Sequence, residues 1–491
     1  MRRIWLPQFL TSNNIIAMTD VLKRLFEDYA GQKATEINEL NSSGSNRRYF
    51  RITGESGISL VGVMGLNKAE NDAFCYLSRH FLEKGIRVPR VLAISSDGMC
   101  YIQEDLGDDL LYDKLAQGRE SGVYSSYERS LLCHTMEMLP KIQCRGAEEL
   151  DFSVCFPEPA FNGRMVMFDL NYFKYCFLKA TGMEFDEIRL QDDFERLHDD
   201  LLGEDTDTFL YRDFQARNVM IKDGEPYFID FQGGRRGPIY YDVASFVWQA
   251  RSRYPEDLKQ ELVETYLRAL KTYMPDIDET HFRERLRLFV LFRTLQVLGA
   301  YGFRGYFEKK PHFIASVPYA IDNLRRLMQR PFDRYPYLSE ILTKLTTMEQ
   351  FYVNAEDKRL RVKIFSFAYK KGIPADTSGN GGGYVFDCRS VNNPGKYEYY
   401  RQFTGMDKEV IKFLEDDGEI LTFLDSVYAL VDAHVKRFIE RKFTNLQVCF
   451  GCTGGQHRSV YSAEHLAEHL ARKFDIRVSV THRELDIEKE F

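Results

Sequence analysis

Residues 208–234, "TFLYRDFQARNVMIKDGEPYFIDFQGG", constrain this chain more than any other stretch. They read as strand, loop and strand, with "DGEP" as the turn. Asp213 and Asn218 form a D-x-x-x-x-N loop, and Asp230 ends the next strand. Phosphoryl transfer from ATP needs this order. One aspartate accepts the proton of the acceptor hydroxyl, while the asparagine and the second aspartate hold Mg2+ on the phosphates. Magnesium is a hard cation that takes oxygen ligands, few of them from protein. The bland alternative is three polar residues in turns, where Asp and Asn are common. Both halves at this spacing, behind a strand-rich segment, favour the chemistry. A glycosidase needs two facing acids, which this order does not provide.

The flanking patterns set the organisation. "SNRRYFRITG" and "ISLVGVMGL" read as a hairpin-rich sheet. "NKAENDAFCYLSRHFLEKG" reads as a helix ending at Gly85, and "VPRVLAIS" and "MCYIQEDLG" as two more strands. Patterns are mostly helical from Leu110 to Leu202 and again from Ile239 to Met348. A break near residues 345–360 leads into "KIFSFAY", a glycine-rich loop "DTSGNGGG", and a buried strand "YVFDCRSV". A helical run, "LQVCFGCTGG", the helix "VYSAEHLAEHLARKF" and a last strand "RVSVTHREL" follow. Alternating strands and helices predict a small α/β domain with a parallel sheet.

The chain's 491 residues accommodate roughly two to four domains. The net charge of −7 gives no global attraction to nucleic acid or acidic membranes. Nine scattered cysteines argue for reduced thiols rather than a disulfide framework. The opening "MRRIWLPQFLTSNNIIA" is interrupted by Pro7 and Gln8, against a signal peptide. A helix is expected from Met18, capped by Thr19 or Asp20, with residues 1–17 an upstream extension or arm. The most apolar run, "LFVLFRTLQVLGAYGF", carries Arg293 and Gln296, so no membrane span is expected. The expected location is cytoplasmic.

"YRDFQARNVMI" with "FIDFQGGRRGPIYYDVAS" resembles the aminoglycoside phosphotransferase family of kinase-like small-molecule kinases. "NRRYFRI", "EDLGD" and "RTLQVLGAYGF" bring it nearest to the N-acetylmuramate and N-acetylglucosamine kinases. The resemblance covers about residues 20–345. It implies a protein-kinase-like bilobal domain over 18–350, with a small β-rich lobe and a larger helical lobe. Asp213 is then the catalytic base, Asn218 and Asp230 the Mg2+ ligands, and Asp242 a brace for the catalytic loop. ATP would bind against Gly44, Ser45 and Asn46 of the phosphate loop, and against backbone groups near Glu104 and Leu106. Asp169 is a candidate for a sugar hydroxyl, or only a helix decoration. Two departures stand out. Tyr211 replaces the usual histidine before Arg212, and no lysine lies in "ISLVGVMGL" to grip phosphate, as in the sugar-kinase subgroup. Arg47 or Arg48 is the candidate to supply that charge, the alternative being a solvated arginine pair.

The second constellation is "GCTGGQHRSV", a strand, a glycine turn and a helix start. Exposed N–H groups and the helix dipole favour an anion there. Arg458 offers a planar fork, and Thr453 and Ser459 offer hydroxyls. Cys452 to Arg458 also spells C-x-x-x-x-x-R-S, the cysteine-phosphatase pattern, although no general-acid aspartate is evident among Asp425, Asp432 and Asp486. Cys449 and Cys452 form a C-x-x-C, compatible with a redox pair. His465 and His469 stand four apart on a helix, a metal pair without a third ligand.

"FSFAYKKGIP", "YVFDCRSVNNP", "FTGMDKEV", "FGCTGGQHRSV" and "THREL" resemble, in order, the C-terminal domain of the RapZ family of RNase adapters. The match covers most of 361–491, after a linker at 351–360. It implies binding of glucosamine-6-phosphate and of small regulatory RNA. The implied anion site comprises Cys452, Thr453, Gly454, Gly455, Gln456, His457, Arg458 and Ser459, with Asp387, Arg389, Asn392, His482 and Arg483 lining the same crevice. Cys452 is then a wall of the site. The P-loop half of RapZ is missing, and the acidic end "LDIEKEF" weakens the case for RNA. The expectation is an amino-sugar kinase, with ATP and Mg2+, joined to a sugar-phosphate or anion sensor. The alternatives are a non-catalytic RNA-binding regulator and a Cys452-dependent phosphatase.

Overall fold

The computed structural model describes residues 12–40, 47–203, 207–352, 359–376, 382–441 and 443–491. The phosphate-loop candidates Gly44, Ser45 and Asn46 lie outside the described residues, as does much of the 351–360 linker. The chain divides into two compact units, Met1–Ala300 with Tyr319–Thr346, and Tyr301–Pro318 with Thr347–Phe491.

The first unit opens with helix α1 (Ser12–Ala30). It starts six residues before the expected Met18, and Met18, Leu22 and Phe26 follow one apolar stripe at helical spacing. Strands β1 (Ala34–Leu40), β2 (Arg48–Gly54), β3 (Ser59–Met64), β4 (Val91–Ile94) and β5 (Cys100–Glu104) form an antiparallel sheet in the order β1-β2-β3-β5-β4. Leu22 and Phe26 of α1 pack against Phe50, Ile52, Leu60, Met64, Cys100 and Ile102. Helix α2 (Lys68–Glu83) is capped by Asn67, whose side chain accepts from Glu70 N–H, and ends before Gly85 at φ 71°. Its Phe74 stacks on Tyr101 at 5.3 Å and on Phe231 at 4.7 Å. Truncating such a buried ring costs roughly 3–5 kcal/mol, so α2 and the "DFQ" turn are held in register.

The rest of this unit is mainly helical: α3 (Ser126–Gln143), closed by a Ser125–Glu128 capping box, α4 (Gly163–Tyr172), α5 (Tyr240–Val247), α6 (Glu256–Leu270) and α7 (Glu279–Gly302). Inserted among them are β6 (Phe209–Leu210) paired with β9 (Arg235–Arg236), and the hairpin of β7 (Val219–Lys222) and β8 (Glu225–Phe228). Contrary to the sequence expectation, the helical run Glu279–Phe307 is long and apolar enough to cross a membrane. Its most apolar window is 61% buried inside the protein, and Phe282, Phe289, Phe292 and Leu295 sit in the core. A core helix of this kind needs no membrane to cover its apolar surface.

The second unit carries the sheet of β10 (Arg361–Ala368), β11 (Gly383–Asp387), β12 (Asn445–Cys452), β13 (Arg477–His482) and β14 (Ile487–Glu490), ordered β11-β12-β10-β13-β14. The first four strands in that order are parallel, and β14 runs antiparallel to β13. Helices α8 (Lys408–Asp417) and α9 (Glu419–Glu440) are separated by Gly418 at φ 77°, and α10 (Arg458–Lys473) follows β12. Ile364, Val448, Phe450, Val431 and Leu466 make up its core. Two expectations change. "YVFDC" forms a partly exposed edge strand rather than a buried one, since β12 alone pairs with it. The acidic end, expected to follow the last strand, is itself β14, its Lys489 reaching Glu464 of α10 at 2.9 Å. The fold class read from the sequence holds: a β-rich sheet with a larger helical part, then an α/β domain with a mainly parallel sheet.

Candidate functional site

Asp223 and Gly224 alone join β7 to β8, both at positive φ (55° and 83°). This tight "DG" turn fixes the register, pairing Lys222 with Glu225 and Val219 with Phe228. One step beyond, Ile229 N–H donates to the Asn218 carbonyl at 3.0 Å. Asn218 and Asp230 are thereby neighbours. Asn218 Nδ2 donates to Asp230 Oδ2 at 3.4 Å and to the Asp213 carbonyl at 2.7 Å. The structure therefore brings together Asp213, Asn218 and Asp230. Gln232 Nε2, which sequence reasoning missed, holds Asp230 Oδ1 at 2.7 Å. Arg212 and Asp230 adopt left-handed backbone (φ 77° and 66°), a conformation that costs non-glycine residues energy and concentrates at functional sites.

Asp242 explains how the strained loop is held. It is fully buried, and its carboxylate accepts the N–H groups of Tyr211 and Arg212, each at 2.8 Å, and Gln143 Nε2 at 3.2 Å. Burial nevertheless pushes its carboxyl up to about 7. Tyr211, the departure from histidine, donates its hydroxyl to the Ile229 carbonyl and so ties the loop to the hairpin. Burial and the negative charge of Asp213 push Asp230 up to about 6. Asp213 itself is 43% exposed in its side chain, with Arg293 Nη2 at 3.9 Å. The donor set suits a hard divalent cation. Two carboxylates crowd each other, and Asn218 uses only Nδ2 in its bonds, leaving Oδ1 able to face a metal.

The arginine pair separates cleanly. Arg48 is paired with Glu39 at the surface. Arg47 is 2% exposed, with Nη2 donating to the Glu70 carbonyl at 3.0 Å and Nε 3.4 Å from Glu70 Oε1 on α2. Its charge acts on Asp230. A cation next to the sheet, just before β2, paired with a glutamate of the neighbouring helix, is similar to the kinase lysine–glutamate pair. The sequence held no signal for Glu70 as partner, because the pairing spans 23 residues.

Glu104 ends β5. Its N–H donates to the Arg90 carbonyl at 2.9 Å and its carboxylate accepts Lys222 at 2.7 Å. Asp105 is a clamp, accepting Arg51 at 2.8 Å and Ser59 at 2.6 Å. Leu106 is buried in the connection from the sheet to β7, where Ile221 N–H reaches the Asp109 carbonyl. Asp169 lies in a polar cluster that the sequence did not assemble. Gln296 Nε2 donates to it at 2.8 Å, and Tyr241 donates to Gln296 Oε1 at 2.6 Å, as does Arg293. Burial pushes Asp169 up to about 6 against the pull of Arg212 and Arg293. Buried Arg235 stands nearby, pushed down to about 10 by burial and Arg212.

In the second unit the carboxyl ends of the parallel strands meet the 452–459 loop. Cys452 Sγ lies 3.1 Å from Ser459 Oγ and accepts Gly455 N–H at 3.1 Å. Arg458 Nη1 donates to the carbonyls of Val391 (2.8 Å) and Arg389 (3.2 Å). Thr453 and Gly454 are exposed at the loop's tip. Gln456 and His457 turn away and brace the loop on the carbonyls of Phe403 and Tyr400. Asp387 and Arg389 pair with each other on the surface, and Asn392 N–H is taken by Glu419. His482 is fully buried, donating to Glu464 at 2.7 Å beside Ser366, and Arg483 donates to the Gly372 carbonyl. Cys449 is buried and its thiol pushed up to about 11, which disfavours a redox pair with Cys452. His469 is held by Asp432 at 3.0 Å, and among the described residues no group of three metal-binding side chains occurs.

Residues 360–486 match the model of the RapZ C-terminal domain, and residues 177–282 match that of the phosphotransferase enzyme family. Both resemblances read from the sequence are thus matched. A nucleotide-binding protein of Fervidobacterium nodosum is 34% identical over 148 residues, 30% of this chain and 49% of that protein. One of Methylobacillus flagellatus is 39% identical over 135 residues, 28% and 46% respectively. The chain spans about half the length of these curated relatives. Among solved structures, ADP-bound aminoglycoside phosphotransferase APH(2'')-Ib aligns with TM-score 0.43 and 14% identity, covering 65% of this chain and 98% of that one. Choline kinase from Cryptosporidium parvum aligns with TM-score 0.44 and 13% identity, covering 68% and 99%.

Proposed function

We propose that this protein transfers the γ-phosphoryl group of ATP to a hydroxyl of an amino sugar of the N-acetylmuramate or N-acetylglucosamine type, at the anomeric position, through a domain ending near residue 350. The observation that carries the reading is the convergence of Asp213, Asn218 and Asp230 at the base of one short hairpin. Asp213, its side chain 43% exposed, accepts the proton of the attacking hydroxyl. Arg293 Nη2 lies 3.9 Å from its carboxylate. Asn218 and Asp230 would hold Mg2+, which neutralises charge on the phosphates. Arg47, paired with Glu70, supplies the cation in place of the missing lysine. ATP would meet the backbone near Glu104 and Leu106, where the sequence expectation places the adenine. Asp169 and Gln296 offer an acceptor and a donor to sugar hydroxyls.

The second domain, from residue 361, is proposed to bind a sugar phosphate or a related anion on the 452–459 loop. An RNA-binding adapter is the rival reading, and its signature is a steep loss of RNA binding with salt. The acidic β14 at the sheet edge speaks against a broad phosphate-binding surface there. An ATP-consumption screen over amino sugars, with Asp213→Asn as control, tests the kinase. No Asp213-dependent turnover across the panel refutes it.

A further inference from the structure

The 452–459 loop holds more than an anion cradle requires. Cys452 is 3% exposed, at the end of β12, and its sulfur accepts the Gly455 N–H at 3.1 Å and lies 3.1 Å from the Ser459 hydroxyl, which donates to it when the thiol is ionised. Those contacts stabilise a thiolate, which accepts hydrogen bonds better than a thiol. Burial raises the Cys452 thiol, yet the bonds from Ser459 and Gly455 and the charge of Arg458 outweigh it and bring it below its ordinary value. Burial pushes every other cysteine of the chain the opposite way.

Arg458 supplies the independent observation. It is 97% buried (3% exposed), yet its Nε meets no hydrogen-bond partner among the described residues. Nη1 anchors the guanidinium on two carbonyls, and Nη2 points at Thr453 Oγ1 at 3.5 Å. Nε and Nη2 form the edge that grips two oxygens of a phosphate. A buried donor left unmatched costs free energy, so an edge kept in this state awaits an acceptor.

We propose that Cys452 is a nucleophile that takes the phosphoryl group of a phosphomonoester bound by Arg458. The thiolate sulfur attacks phosphorus, and an S–P bond forms as the ester P–O bond breaks. The ester oxygen leaves with the bonding pair. Water then attacks phosphorus, the S–P bond breaks, inorganic phosphate departs, and the thiolate is restored, with the water's proton passing to solvent or to the released oxyanion. Two carboxyls beside the loop among the described residues are Asp387, which feels the charge of Arg458, and Glu484, against Gly455. Arg389 holds Asp387 below the usual carboxylate range, and Lys371 outweighs burial to do the same for Glu484. Neither is poised to protonate a leaving group. The substrate class is therefore esters whose oxygen leaves readily as an anion, such as aryl phosphates, rather than simple alkyl phosphates.

The test uses the full chain, without ATP, and p-nitrophenyl phosphate. Release of p-nitrophenol, lost in Cys452→Ser and reduced at least tenfold in Arg458→Lys, is the expected result. In parallel, iodoacetamide labelling of the unmodified protein, mapped by peptide mass, should modify Cys452 about tenfold faster than Cys449, and inorganic phosphate should slow it. Labelling needs no variant to fold. Release that survives Cys452→Ser overturns the proposal. So does phosphate protection without any release, which marks a binding loop only.

Discussion

Asp242 sets two physical effects against each other. Burial in the helical core favours its neutral form, whereas three N–H donors favour the carboxylate. Burial wins, raising the carboxyl from 3.8 to about 7. For a carboxyl raised in the folded state, the stability it contributes is full below about pH 4 and is lost as pH rises through about 7. At about 1.4 kcal/mol per pH unit, the interval is worth on the order of 4 kcal/mol. Asp242→Asn supplies a permanently neutral side chain of the same shape, so the stability difference between wild type and variant should shift by that order between pH 4.5 and pH 8, in the variant's favour at the higher pH. The comparison isolates Asp242, because Asp169 and Asp230 titrate in both proteins. Urea unfolding followed by tryptophan emission reads the first unit through Trp248. A difference that stays flat across this range would mean that the donors keep the group ionised throughout, and the reasoning from burial fails.

Arg47→Ala should raise the KM for ATP by roughly 10–100-fold, the size of one charge-assisted contact, with Arg47→Lys between; an unchanged KM denies Arg47 its role. Asp213→Asn should cut turnover about 10²–10⁴-fold while leaving binding of a non-hydrolysable ATP analogue largely intact, as calorimetry would show. Asp169→Asn should weaken acceptor binding with little change in the KM for ATP; equal effects on both would place Asp169 outside the acceptor site. Gly455→Ala should destabilise the loop by roughly 1–3 kcal/mol, because its φ is +70° and a Cβ would fall 2.8 Å from Ala368 N. Loss of phosphate protection at Cys452 reports it.

Local spacing carried the hairpin and both loops. "DG" forces a two-residue turn, and that turn alone places Asn218 beside Asp230. Gly455 needs a left-handed backbone, which the run "TGG" announces. Other features depend on contacts between distant segments and leave no local pattern. Glu70 meets Arg47 only because α2 packs on the sheet. Gln296 reaches Asp169 across 127 residues. Arg293 and Gln296 read as blemishes in an apolar run, yet the turn of α7 directs both into the polar cluster around Asp213 and Asp169.

The sequence by itself determined the spacing that brings Asp213, Asn218 and Asp230 together, the alternation that makes the second unit α/β, and the strand, glycine turn and helix start at 452–459. These follow from short-range geometry, in which turn residues and period fix what neighbours in the chain can do. Only the tertiary structure decided which arginine is buried against Glu70, that Asp242 holds a strained loop from within the core, and that β14 closes the second sheet. It also decided the environment of Cys452. A thiol's reactivity is set by the donors and charges folded around it, and those come from the loop's closure onto α10, not from the cysteine's place in the sequence.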